Sequence, residues 1–243
     1  MKLAQYSWRP CLVTMLAACT PAHAAGRDIV DGLMQFRSDI AYQSVQLMTM
    51  VAIAGALAIV AAVPLGICMS RPAQRRAAII MQVLNVGQAI PKLALLALAM
   101  SVLGIGTAPA IFGLWVATLL PIAQNTYEGL RAVPRALIEA ATGMGMTPLQ
   151  ILWRVELPNA LYVIFAGIRT ALAITVGTAP LAFLIGGGGL GELIFTGIDL
   201  NDFTMLLAGA IPIALLAILT DAVLGLVQRK LVSRGVTPND RKN

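Results

Sequence analysis

The sequence predicts an all-α integral membrane protein with five membrane-spanning helices. Its 243 residues are 58% hydrophobic and only 12% charged, whereas a soluble domain carries about 25% charged residues. Five apolar segments each reach the roughly 20 residues that a helix needs to cross the hydrocarbon core. They span residues 45–69, 78–103, 108–127, 161–185 and 206–227. A soluble enzyme and a nucleic-acid-binding protein are therefore excluded, despite the net charge of +6.

The positions of Lys and Arg predict how the chain sits in the membrane. Basic residues cluster after the first, third and fifth apolar segments: Arg71, Arg75, Arg76, Arg131, Arg135, Arg154, Arg229, Lys230, Arg234, Arg241 and Lys242. Residues 104–107 and 186–205 contain neither Lys nor Arg. Because cytoplasmic loops are enriched in basic residues, we expect the 128–160 loop and the 232–243 tail in the cytoplasm. The charged 25–44 tail is then expected outside, so that the N-terminus lies outside and the C-terminus inside.

Residues 1–24 are typical of a cleavable secretory signal. Lys2 and Arg9 supply the positive start, residues 11–19 a short apolar core, and the Ala-His-Ala sequence at 22–24 a cleavage site. The sequence before Cys19 also resembles a lipoprotein processing site, so lipidation is an alternative, and an uncleaved extra helix is a third. A translocated 25–44 tail would require such a signal, which agrees with the predicted orientation.

A polar stretch between the third and fourth apolar segments predicts a short helix and a tight turn. Residues 136–142 have high helix propensity. Gly143 and Gly145 can end that helix in a left-handed turn, a conformation that glycine adopts without steric cost.

A second short helix is predicted directly after that turn. Thr147 can cap the new helix, with Pro148 at its first position and Gln150 at its third. Because proline lacks an amide hydrogen and clashes with the preceding turn, Pro158 is expected to end this helix near residues 156–157. The result would be a compact pair of helices that another protein could bind.

The same stretch resembles the cytoplasmic coupling loop of ABC importer permeases. The resemblance rests on Glu139-Ala140-Ala141, on Gly145, and on Val155-x-Leu157-Pro158 at the family's spacing. The family has Ile where this chain has Val155. The loop of that family docks an ATP-hydrolysing partner, so these seven residues are expected to form the ATPase-coupling site.

Further motifs resemble the branch of these permeases that imports osmoprotectants such as glycine betaine, carnitine and choline. They are Gln88–Pro91, Leu93–Leu96, Gly104–Thr107, Pro121–Tyr127, Ala166–Thr170 and Gly188–Gly191. The resemblance covers roughly residues 43–231. It implies a MetI-like permease domain over residues 45–231, located in a bacterial inner membrane.

That resemblance also implies partners. A second permease subunit, either a copy of this chain or a paralogue, is expected beside it, with an ABC ATPase dimer below and a periplasmic solute-binding protein outside. ATP and Mg would be bound by the ATPase, and no cofactor is expected on this chain. The alternatives are the same machinery importing an amino acid, an ATP-independent channel or secondary carrier, and a scaffold without transport.

Polar residues near Pro91 form a candidate wall of the translocation pathway. Ionisable groups inside membrane spans are costly and are often functional. Pro91 should kink its helix, and Gln88 and Lys92 flank that kink. A positive charge at Lys92 would repel a cationic cargo and favour a zwitterion such as glycine betaine. The alternative for Lys92 is a side chain that extends to the membrane interface.

Two further sets of charged residues are candidate contacts. Arg169 in the fourth segment and Asp221 in the fifth lie at similar distances from the cytoplasmic side, so they are a candidate intramembrane ion pair. The alternative is that each side chain extends independently to the interface. In the outer loop, Glu192, Asp199 and Asp202 could contact a docked binding protein, or could belong to an ordinary solvated loop.

The sequence lacks the patterns of a catalytic chain. It has no P-loop, and its single histidine, His23, leaves no His/Cys metal site. The glycines at 186–189 and 191 match a dinucleotide-binding pattern, but no strand–helix–strand context surrounds them. Aromatic residues make up only 5%, and none forms a recognisable cage for a quaternary ammonium group. A non-catalytic permease subunit is therefore expected.

Overall fold

The computed structural model describes residues 32–71 and 74–231. The predicted signal at 1–24, with its alternatives, and the 232–243 tail lie outside the described residues. The described chain is helical throughout, in nine α-helices: α1 Arg37–Ser70, α2 Gln74–Ala89, α3 Lys92–Leu103, α4 Thr107–Arg131, α5 Arg135–Gly143, α6 Pro148–Ile151, α7 Leu157–Thr178, α8 Gly191–Asp199 and α9 Phe203–Leu231.

The first span begins earlier than its hydrophobicity predicts. Helix α1 has 34 residues and starts at Arg37, so the second half of the 25–44 tail continues directly into the membrane helix. Helical hydrogen bonding does not stop where apolar residues give way to polar ones, because backbone groups pair in the same way on either side of that point.

Helix α1 packs closely against α4 through a face of small residues. Ala54, Ala58 and Ala62 are fully buried, as four-residue spacing predicts for a helix contact in a membrane. A Cβ atom on Gly66, the next residue of this face, would lie 2.5 Å from the Cβ of Thr126. A larger side chain at Gly66 would therefore push the two helices apart.

The second predicted span is sharply bent. Helices α2 and α3 meet at a break of two residues, and the Ala78–Ala89 part of α2 lies at 88° to α3. Pro91 caps α3, with extended backbone angles of φ −56° and ψ 131°. Four helices in the described part of the chain are long and apolar enough to cross a membrane, and this bent pair would make a fifth.

The expected helix end at Pro158 is wrong. After α6 the chain forms a π-helical stretch at Leu152–Glu156 and passes without interruption into α7, so that 148–185 form one continuous 38-residue helical unit. In a regular α-helix the ring of Pro158 would meet the carbonyl four residues earlier. The π-type turn changes this alignment, as shown by the Leu157 amide, which donates to the carbonyl of Leu152 five residues back.

A glycine turn closes the opposite end of the bundle. Helix α7 tightens into a 3₁₀ segment at Ala179–Ile185, after which Gly186, Gly188 and Gly189 adopt φ values of +80°, +73° and +84°. Gln46 of α1 holds this turn, since its Nε2 donates to the carbonyl of Gly187 (3.3 Å) and its Oε1 accepts from the amide of Gly189 (3.1 Å).

Candidate functional site

The 135–158 segment, named here the coupling segment, begins with a helix and a well-formed glycine turn. After α5, the Met146 amide donates to the carbonyl of Ala141 (3.2 Å) and the Gly145 amide to that of Thr142 (2.9 Å). This pair of bonds is a Schellman motif, which requires a left-handed residue at its turn. Gly145 supplies that residue with φ +78°. The glycine turn predicted from the sequence is therefore present, with Gly143 still inside the helix.

The start of α6 is fixed by a capping box. The Gln150 amide donates to Oγ1 of Thr147 (3.4 Å), while Oε1 of Gln150 accepts from the Thr147 amide (2.9 Å). Pro148 occupies the first helical turn, where its missing amide hydrogen costs nothing. The predicted helix start is thus present, although its helix continues into α7.

The coupling segment presents apolar side chains to its surroundings. Four large ones are exposed: Leu137 (43%), Met144 (74%), Leu149 (65%) and Trp153 (61%). Of the residues that carry the sequence motif, Glu139, Ala140, Gly145 and Pro158 are exposed, Val155 and Leu157 are half-buried, and Ala141 is buried. Exposed large apolar side chains in one short segment are typical of a protein-interaction surface.

An ion pair that the sequence did not predict joins the coupling segment to the first span. Both guanidinium nitrogens Nη1 and Nη2 of Arg71, directly after α1, donate to the two carboxylate oxygens of Glu156. Glu156 lies in the π-helical stretch with only 10% of its side chain exposed, whereas Arg71 is 43% exposed. The only sequence signal for this pair was that both residues follow membrane segments on the same predicted side.

A cavity of about 120 Å³ lies beside the bend between α2 and α3. It is formed by α2, α3, α4 and α7, with Gln88, Lys92, Leu95, Leu120, Pro121 and Ile174 among its lining residues. Gln88 and Lys92 are the only polar side chains among the ten described residues that line it. The structure thus brings the predicted pathway residues to one cavity, with Pro91 at the bend that joins them.

The two polar side chains of this cavity have different partners. The Nζ of Lys92 donates to Oγ1 of Thr178 at the end of α7 (3.1 Å). Gln88 donates from Nε2 to Oε1 of Gln124 on α4, and Gln124 donates in turn to Glu128 (3.0 Å). A line of polar groups therefore extends from the cavity along α4.

Arg169 and Asp221 are in contact. The Arg169 Nε and Nη2 atoms each lie 2.5 Å from a different carboxylate oxygen of Asp221, which is the two-pronged geometry that fits a guanidinium to a carboxylate. Gly225, one turn further along α9, leaves room for the guanidinium, since a Cβ there would lie 3.0 Å from Nη1 of Arg169. About two-fifths of each side chain is exposed.

The three acidic residues of the outer loop are placed differently from one another. Glu192 accepts from Nε2 of Gln43 on α1 (3.1 Å). Asp202 caps α9, because its Oδ1 accepts from the amides of Thr204 and Met205 (2.9 and 3.1 Å). Asp199 is exposed. The hydrogen bonds of Asp202 give it a structural role, whereas Asp199 and Glu192 present carboxylates at the surface.

Metal binding has no support in the part of the chain that the structure describes. No group of three or more His, Cys, Asp or Glu side chains among residues 32–71 and 74–231 could hold an ion. The geometry instead provides an exposed segment for a protein contact, a continuous helix leading from it, and a small, mainly apolar cavity between the spans with Gln88 and Lys92 in its lining.

Comparison with known proteins gives closely related sequences among transport permeases. The chain is 55% identical over 175 residues to the osmoprotectant import permease protein OsmY of Salmonella typhimurium, covering 72% of this chain and 74% of the relative. It is 41% identical to the choline transport system permease protein OpuBB of Bacillus subtilis (86% and 95% covered). It is 46% identical to the carnitine transport permease protein OpuCD of Listeria monocytogenes (72% and 78% covered).

Solved structures share the fold. A chain of the MetNI methionine ABC transporter in an inward-facing conformation superposes with a TM-score of 0.71 at 25% identity, covering 80% of this chain and 97% of that chain. Another match, from an amino acid ABC transporter, has a TM-score of 0.68 at 15% identity and covers 81% and 96%. The family model for the inner membrane component of binding-protein-dependent transport systems matches residues 54–233. The chain belongs to that family, as a transport permease of the inner membrane.

Proposed function

We propose that this chain is the membrane-spanning subunit of an ATP-driven importer of quaternary ammonium osmoprotectants such as glycine betaine, carnitine and choline. The observation that carries the proposal is its 41–55% identity, over most of its length, to permeases described as osmoprotectant, choline and carnitine importers. Family membership alone would leave the cargo open, because the same fold occurs in methionine and amino acid transporters.

The coupling segment is the proposed docking site for an ABC ATPase dimer, which binds ATP and Mg and performs the hydrolysis. Its exposed apolar side chains, such as Met144, Leu149 and Trp153, would be buried in that contact. The sequence motif from Glu139 to Pro158 lies on the same segment. Because cytoplasmic loops are enriched in Lys and Arg, this surface is assigned to the cytoplasmic side, as is the C-terminus.

Movement of the ATPases would reach the spans through a single rigid element. Because 148–185 form one helical unit, displacement of α6 at the docking site must also displace α7. The Arg71–Glu156 pair would transmit the same displacement to α1. Binding of ATP would then favour the outward-facing over the inward-facing arrangement of the pathway, because a ligand shifts an equilibrium toward the state that binds it more tightly.

Two further partners complete the proposed assembly. A second permease subunit, a copy or a paralogue, would cover part of α9, because only 11% of the 18-residue apolar stretch of this helix is buried within this chain. A periplasmic solute-binding protein would dock at the opposite end of the bundle, where Glu192 and Asp199 present carboxylates.

The direct test is ATPase activity of the purified complex with its ATPase and binding protein, measured with glycine betaine, carnitine, choline, methionine and histidine. We expect hydrolysis to rise several-fold with at least one of the three quaternary ammonium compounds and not with the amino acids. Stimulation by an amino acid alone would overturn the cargo assignment. Uptake into vesicles by the permease without any ATPase would overturn the ATP-driven mechanism in favour of a channel or secondary carrier.

Variants of the coupling segment test the docking site. Gly145→Val places a β-branched residue at φ +78°, which costs about 1–2 kcal/mol, and should distort the turn; Glu139→Lys reverses an exposed charge. Both should reduce copurification of the ATPase and uptake, while the amount of permease in the membrane stays normal. Gly177→Ala on α7 is the matched control, because a Cβ there meets open space. Normal copurification and uptake with both coupling variants would remove the segment from this role.

A further inference from the structure

Lys92, which lines the cavity at the bend of the second span, forms no ion pair with any carboxylate that the structure describes. Two ion pairs occur among the described residues, Arg71–Glu156 and Arg169–Asp221, and Lys92 belongs to neither. Its ammonium donates one hydrogen bond, to the hydroxyl of Thr178. An ammonium in a membrane span is costly unless it is paired or hydrated, and one neutral hydroxyl satisfies only one of its three donors.

The position of Lys92 is fixed by the backbone. Lys92 is the first residue of α3 and follows the capping residue Pro91, so the 88° bend directs the start of α3 toward the end of α7. Thr178 is the last residue of α7, and its Oγ1 also donates within α7, to the carbonyl of Ile174 (3.0 Å). Lys92 lines the cavity, and its ammonium is held between the start of α3 and the end of α7.

The rest of the cavity is suited to an alkylated cation that carries its own anion. Eight of its ten described lining residues have no polar side-chain atom, among them Leu95, Leu120 and Ile174. Such a surface can pack against the methyl groups of a trimethylammonium head, because these groups donate no conventional hydrogen bonds. A carboxylate needs a cationic or amide donor when it leaves water, and Lys92 and Gln88 are the side chains here that can provide one.

We propose that Lys92 selects for the carboxylate of zwitterionic quaternary ammonium compounds, such as glycine betaine and carnitine, and against choline, which has the same head group but no carboxylate. This inference rests on the proposed function and narrows its substrate class. Choline would bring an unbalanced positive charge beside the Lys92 ammonium. Like charges repel strongly in a medium of low dielectric constant, whereas the carboxylate of a zwitterion would stand between the two cations.

The relatives do not decide this point, since their descriptions include choline, carnitine and glycine betaine. Capture by the binding protein also contributes to cargo choice. The test therefore requires the complete transporter in liposomes, with binding protein and cargo both at saturation, so that differences in capture do not limit the rate. The measured quantity is the ratio of maximal uptake rates for glycine betaine and choline.

The key variant is Lys92→Gln, which removes the charge but keeps a hydrogen-bond donor. We expect the glycine betaine to choline ratio to fall about tenfold, which corresponds to the loss of about 1.4 kcal/mol of charge interaction. Lys92→Arg keeps the charge and should stay within about twofold of the wild-type ratio. Thr178→Val removes the hydroxyl partner but not the charge, and should also keep the ratio. Lys230→Gln, at the exposed end of α9, is the control for loss of a lysine elsewhere.

The possible outcomes separate a failure of this inference from a failure of the proposed function. If wild-type transporter imports glycine betaine and the ratio is unchanged in Lys92→Gln, the inference is wrong and the proposed function stands. If Lys92→Gln lowers uptake of both cargoes equally, Lys92 has a structural role only, and the inference is again wrong. If wild-type transporter imports no quaternary ammonium compound, the proposed function itself fails. Lys92→Met, measured in parallel, removes both the charge and the donor, and should lower the ratio at least as much as Lys92→Gln.

Discussion

Two prolines on the membrane spans, Pro91 and Pro158, have opposite effects on their helices. At Pro91 the helix stops and the chain turns by 88°. At Pro158 the helix continues, because a π-helical stretch precedes the ring. Both residues lack an amide hydrogen and both would clash with a regular α-helical turn. Pro64, Pro121 and Pro212 lie inside continuous α-helices. The comparison therefore teaches that proline does not by itself decide the path of a helix, and that its surroundings decide whether the helix bends, widens or continues.

The surroundings differ in what holds the preceding residues in place. Before Pro158, Glu156 is buried and paired with Arg71, and the side chain of Asn159 donates to the carbonyl of Val155 (2.6 Å). Before Pro91, Ala89 and Ile90 are exposed, and Ile90 lines a cavity; the side-chain hydrogen bond described there joins Gln88 to Gln124 and is itself exposed. A helix with fixed ends keeps its direction, whereas one beside open space can bend.

The largest effect is expected from removing Arg71, because this would leave the carboxylate of Glu156 buried and unpaired. Such a change costs about 3 kcal/mol or more when burial is complete. Arg71→Met should therefore abolish most uptake and lower the unfolding temperature of the complex. Glu156→Gln should have a clearly smaller effect, since the half-exposed Arg71 can hydrate. Uptake and thermal unfolding of both variants would be compared.

Arg229→Met, at the exposed end of α9, controls for loss of a basic residue and should behave as wild type. Equal effects of Arg71→Met and Glu156→Gln would contradict the proposed difference in burial. A charge swap, Arg71→Glu with Glu156→Arg, should restore part of the uptake if the contact itself is what matters.

An intermediate effect is expected for Pro91→Ala. Alanine restores the amide hydrogen and favours a helix by about 3 kcal/mol relative to proline, so α2 and α3 should straighten and the cavity should change shape. Uptake should fall about tenfold while the permease still assembles with its ATPase. Spin labels at Val83 and Leu98, both exposed, would measure the change in distance across the bend. An unchanged distance would show that packing, and not Pro91, sets the angle.

The smallest effect is expected for Pro158→Ala. The helix already continues through this position, so the substitution adds no new element and only permits the π-helical stretch to relax to α-helix. Such a change would rotate the coupling segment relative to α7 by about one residue, roughly 100°. The Arg71–Glu156 pair opposes that rotation. The stimulation of ATPase activity by cargo should therefore fall by only about two- to threefold. A loss as large as that of Pro91→Ala would contradict this ranking.

Local features of the fold were accurately predictable from the sequence. The glycine turn at Gly145 and the capping box at Thr147 are made by residues close together in the chain, so their patterns alone specify them. The buried face of Ala54, Ala58 and Ala62 follows from helical periodicity in the same way. The expected helix end at Pro158 failed because the rule considers only the α-helical turn, and a widened turn is also available.

Contacts between distant elements were predictable only in part. The Arg169–Asp221 pair was one of two alternatives until the packing of α7 against α9 placed the side chains together. The Arg71–Glu156 pair joins residues 85 positions apart, and many basic residues on that side could have been chosen instead. The same is true of Glu192, whose partner Gln43 lies 149 positions away.

By itself, the sequence determined that this protein is a bundle of membrane helices with a polar coupling segment, because hydrophobic length, helix propensity and turn residues act locally. Its motifs also indicated the permease family. The tertiary structure alone decided the direction of each helix after its proline and which charges are paired. It also decided that Lys92 lines a cavity between the spans and donates to Thr178. These features depend on the free energy of packing between elements far apart in the chain, which no local pattern contains.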